Sequence, residues 1–283
     1  MCSSLASAAM TPARGNRSQV PKPGRRSRYA APALEKGLDI LELLAHGSEA
    51  LTRSEIALRL GRSVGELFRM LVCLEERGYI SEVGPDERYQ LTLKLFETAN
   101  QHQPLEHLLT LARPLMQRVA DQTGQSCHLA MPSNGNIVVV ASVEAPLHMG
   151  FSVRLGANID LLNTASGHVI LAFHGPEYRA YALAAWQRKT KARVPQGLDR
   201  HLAEIRQRGY EELASYQVHG VVNISFPVLN QHGEAVAAVS VPFLARIADE
   251  IGPPQVKERL ADAADRLSHA IGGTEPRLAL RAR

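Results

Sequence analysis

Arg62, Glu66, Arg69 and Cys73 recur at spacings of four and three, which places them along one face of a helix. An arginine fork pairs with the guanine edge, and a carboxylate accepts from the cytosine amine. Ser63, just ahead, and Arg88, further on, are types that hold phosphate oxygens. Arg53, Arg62, Ser63, Glu66, Arg69 and Arg88 are therefore the candidate DNA contacts. Glu66 has a second reading as a helix cap, and Arg69 a second reading in a salt bridge within the domain.

Two helices must carry this set, and the sequence announces both. Thr52 with Glu55 and Ser63 with Glu66 are capping-box pairs, each able to satisfy free backbone N–H groups at a helix start. Gly61 supplies the turn between them. Leu67, Leu71 and Leu74, with Ile56 and Leu60 before them, form the stripe that pins the second helix on the first, leaving Arg62, Glu66, Arg69 and Cys73 free on the opposite side. A strand, the Gly84-Pro85-Asp86 turn and a second strand at 88–91 follow. Two helices at a short turn plus a hairpin make a winged helix-turn-helix, whose usual partner is the major groove.

Other chemistry is poorly supported. Among eleven histidines, His128, His148, His168 and His174 show no metalloprotease or i,i+4 ligand pattern, so ligand contact or ordinary packing is expected of them ahead of a metal site, and no cofactor is expected. Neither a glycine-rich phosphate loop nor a nucleophile elbow is present, since Ala165-Ser-Gly167 lacks the preceding glycine. The rival reading is an enzyme on a small acid, using Cys127 with His128 or Ser166 with His168. Neighbours on a strand point to opposite faces, which separates Cys127 from His128. Ser166 at a helix start is better explained as a cap.

The 283 residues suit about two domains, and 45% apolar with 21% charged residues is ordinary for a globular chain. The apolar runs at 137–143 and 235–245 fall short of the roughly 20 residues of a membrane helix. The start Met1-Cys-Ser-Ser-Leu-Ala has neither a basic head nor an apolar core, and Cys2, Cys73 and Cys127 are scattered; the expected location is a reducing cytoplasm. Of the net charge of +4, residues 1–30 carry +6, residues 31–100 carry −4 and residues 101–283 carry +2. A DNA-binding segment that is acidic must gather its cations on one face.

Residues 1–29 are expected to be a disordered basic arm, read either as a DNA-following segment or as a solubilising tail or an early start upstream of Met10. The winged domain spans 30–92, its first helix at 33–45 with Leu34, Leu38, Leu41 and Leu44 as core. A linker helix covers 93–104. An α+β domain with a largely antiparallel sheet covers 105–273, and a frayed tail follows at 274–283. Within it a helix is predicted at 105–122, strands at 126–131, 137–143 and 151–155, helices at 166–174, 176–186 and 198–208, strands at 222–229 and 235–241, and a closing helix at 254–271. Asn134-Gly135 and His232-Gly233 mark the two hairpins.

In order along the chain, Ala33-Leu-Glu-Lys-Gly-Leu-Asp-Ile-Leu-Glu-Leu-Leu44, Arg69-Met-Leu with Leu74-Glu-Glu-Arg-Gly-Tyr79, Arg88-Tyr-Gln-Leu91, Ala112-Arg-Pro-Leu115, Thr164-Ala-Ser-Gly167 and Arg206-Gln-Arg-Gly-Tyr210 resemble the IclR family of bacterial transcription regulators. The resemblance implies a winged helix-turn-helix, a linker helix and a GAF-like effector domain. It also implies homodimers that often pair into homotetramers, bind palindromic operators on double-stranded DNA, and repress or activate catabolic operons under a small effector. Membrane association is not part of it.

Departures narrow the site. Val64, Gly65 and Glu66 stand where the family often has Lys, Ser and Thr. In relatives that bind small keto acids the backbone N–H pair aligning with Ala165 and Ser166 receives a carboxylate, a feature retained here through Asn163-Thr-Ala-Ser166. Their Asp, Cys and two Ser positions align with Leu213, Asn223, Ser240 and Pro242, and a frequent Lys is His168. Met149, Phe151, Leu162 and Phe226 offer apolar walls, or else are core. The expected effector contacts are Met149, Phe151, Asn163, Ala165, Ser166, His168, Asn223, Ser225 and Ser240, for a carboxylate with an aromatic or aliphatic body.

Overall fold

The computed structural model of the protein describes residues 31–47, 49–100, 103–146, 150–247 and 251–274. The basic arm, nearly all of the 274–283 tail and Met149 lie outside the described residues. The chain divides into two units between Ala99 and Asn100.

The first unit runs α1 (Pro32–His46), β1 (Leu51–Thr52), α2 (Arg53–Leu60), α3 (Val64–Glu76), β2 (Ile80–Val83), β3 (Arg88–Leu91) and α4 (Lys94–Asn100). Both capping boxes form. Thr52 N–H donates to Glu55 Oε2 at 2.8 Å and Ser63 N–H to Glu66 Oε2 at 3.0 Å, while each hydroxyl accepts from the N3 amide at 3.3 Å. Gly61 closes α2 in the left-handed region (φ 63°), where a side chain would be strained. Ile40, Leu44, Ile56, Leu67, Leu71 and Tyr89 make one core, with Leu60 and Leu74 at its margin. Each fully buried leucine or isoleucine contributes roughly 1.5–3 kcal/mol. The first helix departs from expectation. Gly37, Ile40 and Leu44 face inward, Leu41 is only partly buried, and Leu34 and Leu38 stand 63% and 48% exposed. The leucine spacing marked an apolar stripe, but the side facing the core is the one carrying Ile40. The three short strands pair in the order β1-β3-β2, and β2–β3 is the wing.

In the second unit, α5 (Gln103–Thr123) leads into β4 (Cys127–Ser133), β5 (Asn136–Val143) and β6 (Asn158–Asp160). Helices α6 (Ala165–Ala172), α7 (Pro176–Thr190) and α8 (Leu198–Arg208) follow, then β7 (Glu211–Ala214), β8 (Val221–Leu229), β9 (Ala235–Leu244) and α9 (Pro253–Ala270). The sheet is antiparallel throughout, in the order β6-β5-β4-β9-β8-β7. Alternation along each strand splits the core in two. Leu129, Ala141, Ile224, Phe226 and Val239 pack with α5 and α9, while Ala130, Ile137 and Ala238 pack with α6, α7 and α8. The β4–β5 turn needs positive φ at Asn134 (45°) and Gly135 (75°), and a Cβ on Gly135 would also meet the Trp186 backbone nitrogen at 2.4 Å.

Residues 151–155 are not a strand, contrary to expectation. Their carbonyls are taken by side chains instead: the Ser126 hydroxyl donates to Phe151 O, and the Ser142 hydroxyl to Val153 O at 2.8 Å. The sixth strand forms at 158–160. Edge strand β7 was not foreseen. No helix among the described residues is long and apolar enough to cross a membrane.

Candidate effector pocket and nucleic-acid interface

On α3 the capping box consumes the polar start. Ser63 and Glu66 satisfy each other, and Lys36 Nζ donates to Glu66 Oε1 at 3.2 Å. The bonds from the Ser63 N–H, from Lys36 and from the Ser63 hydroxyl hold the Glu66 carboxyl down at about 2. Arg62 donates to Asp39 Oδ2 at 2.8 Å. The expected free stripe of Arg62, Glu66, Arg69 and Cys73 is thus corrected: two of its four members are committed to α1. Arg53 pairs with Glu87 in the wing turn and lies 5.9 Å from the ring centres of both Phe68 and Tyr89. Arg88 donates to Ala50 O at 3.1 Å and Glu55 Oε2 at 3.3 Å. Arg69 is exposed and, alone of the six candidates, has no hydrogen bond or ion pair among the described residues. Beside it Val64 and Phe68 are exposed, the latter at 47%. Sequence reasoning passed over Phe68 because it neighbours the core residue Leu67.

In the second unit, a loop anchored on one carboxylate sets the start of α6. Asp160 Oδ1 accepts from the N–H groups of Leu162 (2.8 Å) and Asn163 (2.9 Å) and from the Asn163 amide (3.0 Å). Its other oxygen accepts from the Trp186 indole at 2.9 Å. Thr164 then donates its hydroxyl to Asp160 O and accepts from Gly167 N–H at 3.2 Å, capping the helix. First-turn N–H groups have no partner within a helix, and Ala165 and Ser166, in that first turn, line a cleft.

The empty space of that cleft, open solvent included, is about 460 Å³. Six expected residues line it: Phe151, Ala165, Ser166, Asn223, Ser225 and Ser240. Two do not. The Asn163 side chain is spent on Asp160, and His168 turns behind α6, with Nε2 2.9 Å from Leu162 O and Nδ1 3.3 Å from Glu211 Oε2. Leu162 and Phe226 are core residues rather than walls.

Sequence reasoning missed Val153, Ile159, Thr164 and the 215–217 loop with Tyr216, and left His128 between ligand contact and packing. His128 follows from register. It sits opposite Ser240, Ser240 opposite Ser225, and Ser225 opposite Glu211, a buried polar row across four neighbouring strands. The Ser225 and Ser240 hydroxyls are 2.7 Å apart. Burial pushes the His128 imidazole down to about 4, and its Nδ1 has no hydrogen-bond partner among the described residues. Its neighbour Cys127 packs into the core on the opposite face, where burial raises the thiol well above its ordinary value. The strand therefore separates Cys127 from His128, one of the two pairs that an enzyme reading offered.

A winged helix-turn-helix unit followed by an α+β unit with a small-molecule cleft defines a ligand-responsive transcription regulator. Residues 33–84 match the IclR helix-turn-helix domain, and residues 104–269 match the bacterial transcriptional regulator IclR C-terminal domain. The HTH-type transcriptional regulator XynR of Escherichia coli is 26% identical over 244 residues, covering 85% of this chain and 97% of its own. The crystal structure of Thermotoga maritima IclR superposes with TM-score 0.66 at 28% identity, covering 84% and 98%. An IclR homologue from Microbacterium hydrocarbonoxydans, solved in complex with 4-hydroxybenzoate, gives TM-score 0.69 at 22% identity and coverage of 84% and 98%. The chain belongs to the IclR family of bacterial transcriptional regulators. Its relatives are named as regulators, and it is a regulator rather than an enzyme.

Proposed function

We propose that the protein is a cytoplasmic, dimeric regulator of a catabolic operon that answers to a small organic acid with an aromatic or aliphatic body. The observation that carries this reading is the cleft itself. The Ala165 and Ser166 N–H groups at the α6 start favour a carboxylate, while Phe151, Val153 and Ile159 favour an apolar body. The 4-hydroxybenzoate of the Microbacterium homologue has that make-up and belongs in the first screen.

On the DNA side, Arg69 is the base-reading side chain, and Val64 and Phe68 offer apolar contact to thymine methyl groups. Arg53, Arg62, Ser63 and Arg88, anchored within the domain, serve phosphate or hold α3 in place, and Glu66 acts as a cap. Leu34, Leu38, Leu93, Leu95 and Phe96 remain exposed on the first unit and call for a cover, which a second copy supplies. Effector binding shifts the dimer between two arrangements of its recognition helices, by no more than its difference in affinity for the two. Palindromic half-sites mirror the dimer axis.

A gel-shift titration against the region upstream of its own gene, with and without each acid, tests the whole reading. Arg69→Ala is expected to weaken binding by about 1–3 kcal/mol and to relax preference at one base pair. Unchanged affinity and base preference would remove Arg69 from the recognition surface. A thermal shift by none of the acids would remove the carboxylate assignment.

A further inference from the structure

Behind α6, outside the cleft, ligand-type side chains from three elements converge: His168 from α6, His201 from α8 and Glu211 at the start of β7. His168 Nδ1 and His201 Nε2 lie 3.3 and 2.6 Å from the same oxygen, Oε2, of Glu211. We propose that these three residues bind a divalent transition-metal ion of the zinc class.

His168 Nε2 is 2.9 Å from the Leu162 carbonyl, which can only accept, so Nε2 carries a proton and Nδ1 is the nitrogen turned towards Glu211. Nδ1 stands 3.3 Å from Glu211 Oε2, a separation that a shared proton or a bound metal ion can bridge. A carbonyl on the far nitrogen is also the outer-sphere contact that orients metal-binding histidines. Glu211 is prepared in the same sense. Its Oε1 is occupied by Arg208 and by the Glu212 N–H at 2.8 Å, which leaves Oε2 as the ligand atom.

Distances agree with this assignment. Donors set about 2.0–2.1 Å from a tetrahedral ion lie roughly 3.4 Å from one another. The His168–Glu211 separation is already there, and the His201 separation opens by less than about 1 Å when that ring turns. His201, with its side chain 36% exposed against 10% and 1% for the other two, is both the movable ligand and the entry route. Two imidazole nitrogens and one carboxylate oxygen match zinc sites that keep a fourth position for water, and imidazole disfavours magnesium and calcium. A bound ion would tie α6, whose N-terminus walls the cleft, to α8 and β7. The proposal does not depend on the effector assignment.

The test uses the full chain stripped with EDTA and titrated with Co(II), read by visible d–d absorption and equilibrium dialysis, with Zn(II) thermal shifts in parallel. Wild type is expected to take up one ion per chain that His201→Ala binds more than about tenfold more weakly. Zn(II) should raise Tm in wild type and not in His201→Ala. No uptake, or uptake and thermal shift unchanged in His201→Ala, overturns the proposal and leaves Glu211 in a proton-bridged pair with His168. His168→Gln and Glu211→Gln add the same comparison where they fold; the half-exposed His201 decides if they do not.

Discussion

Replacing Gly167 by alanine sets two effects of opposite sign against each other in α6, the helix whose first residues line the cleft. In a helix interior the change normally stabilises by roughly 1 kcal/mol, because alanine loses less backbone freedom on folding. At Gly167 an added Cβ would lie 2.0 Å from the Leu161 carbonyl oxygen and 2.7 Å from its carbon, both backbone atoms. Relief requires α6 and the 160–164 loop to part by more than an ångström. Overpacking of this kind costs about 1–3 kcal/mol. The displacement also strains the 3.2 Å bond from Gly167 N–H to the Thr164 hydroxyl, a cap worth roughly 1 kcal/mol. The net expectation is destabilisation by about 1–3 kcal/mol, or a fall in Tm of roughly 2–12 °C for a unit of this size. Differential scanning calorimetry resolves it, since the transition of the first unit should not move. Affinity for any carboxylate effector should fall as well, because the Ala165 and Ser166 N–H groups shift with the helix start. A Gly167→Ala protein as stable as wild type, or more so, would show that the loop yields freely and that helix propensity wins.

His128 should make stability pH-dependent. Its folded value of about 4 lies below the ordinary 6.5, so the unfolded chain binds the extra proton; stability holds above pH 6.5 and is lost as pH falls towards 4, by up to about 3 kcal/mol. Urea midpoints at pH 7 and pH 5 should differ more in wild type than in His128→Gln. Ser63→Ala should destabilise the first unit by roughly 1 kcal/mol, seen as a lower midpoint of its own transition, through loss of the α3 cap. Arg62→Ala should lower that midpoint by at most about 1 kcal/mol, since the Asp39 pair is partly exposed, and should weaken operator binding without changing base preference. Trp186, the one tryptophan in the chain, is bonded to the carboxylate that shapes the cleft loop, so effector binding should change its fluorescence, and Asp160→Ala should abolish that change.

What could be read from the sequence was local. The two capping boxes, the Gly61 turn and the Asn134-Gly135 hairpin depend on neighbours within a few residues, and each forms with the residues expected. The first helix shows the limit: leucine spacing locates an apolar stripe, yet whether a core or another chain covers Leu34 and Leu38 is not encoded in the spacing. Residues 151–155 alternate like a strand, but distant serines capture their carbonyls before a ladder can. His128 and Tyr216 reach the cleft through strand register and loop placement, which are long-range properties. His168 was placed with the effector contacts by alignment to a lysine, whereas Glu211, on an unforeseen strand, draws it to the other side of α6.

The hydroxyl pair at the floor of the cleft has a consequence for selectivity. Either of Ser225 and Ser240 can donate to the other across 2.7 Å, and a hydroxyl proton rotates to suit its surroundings. Seen from above, the floor can therefore present a proton or a lone pair with no heavy atom moving. Under the proposed effector reading, discrimination then falls to the parts that cannot rotate: the amides of Ala165 and Ser166, which only donate, and the shape set by Phe151.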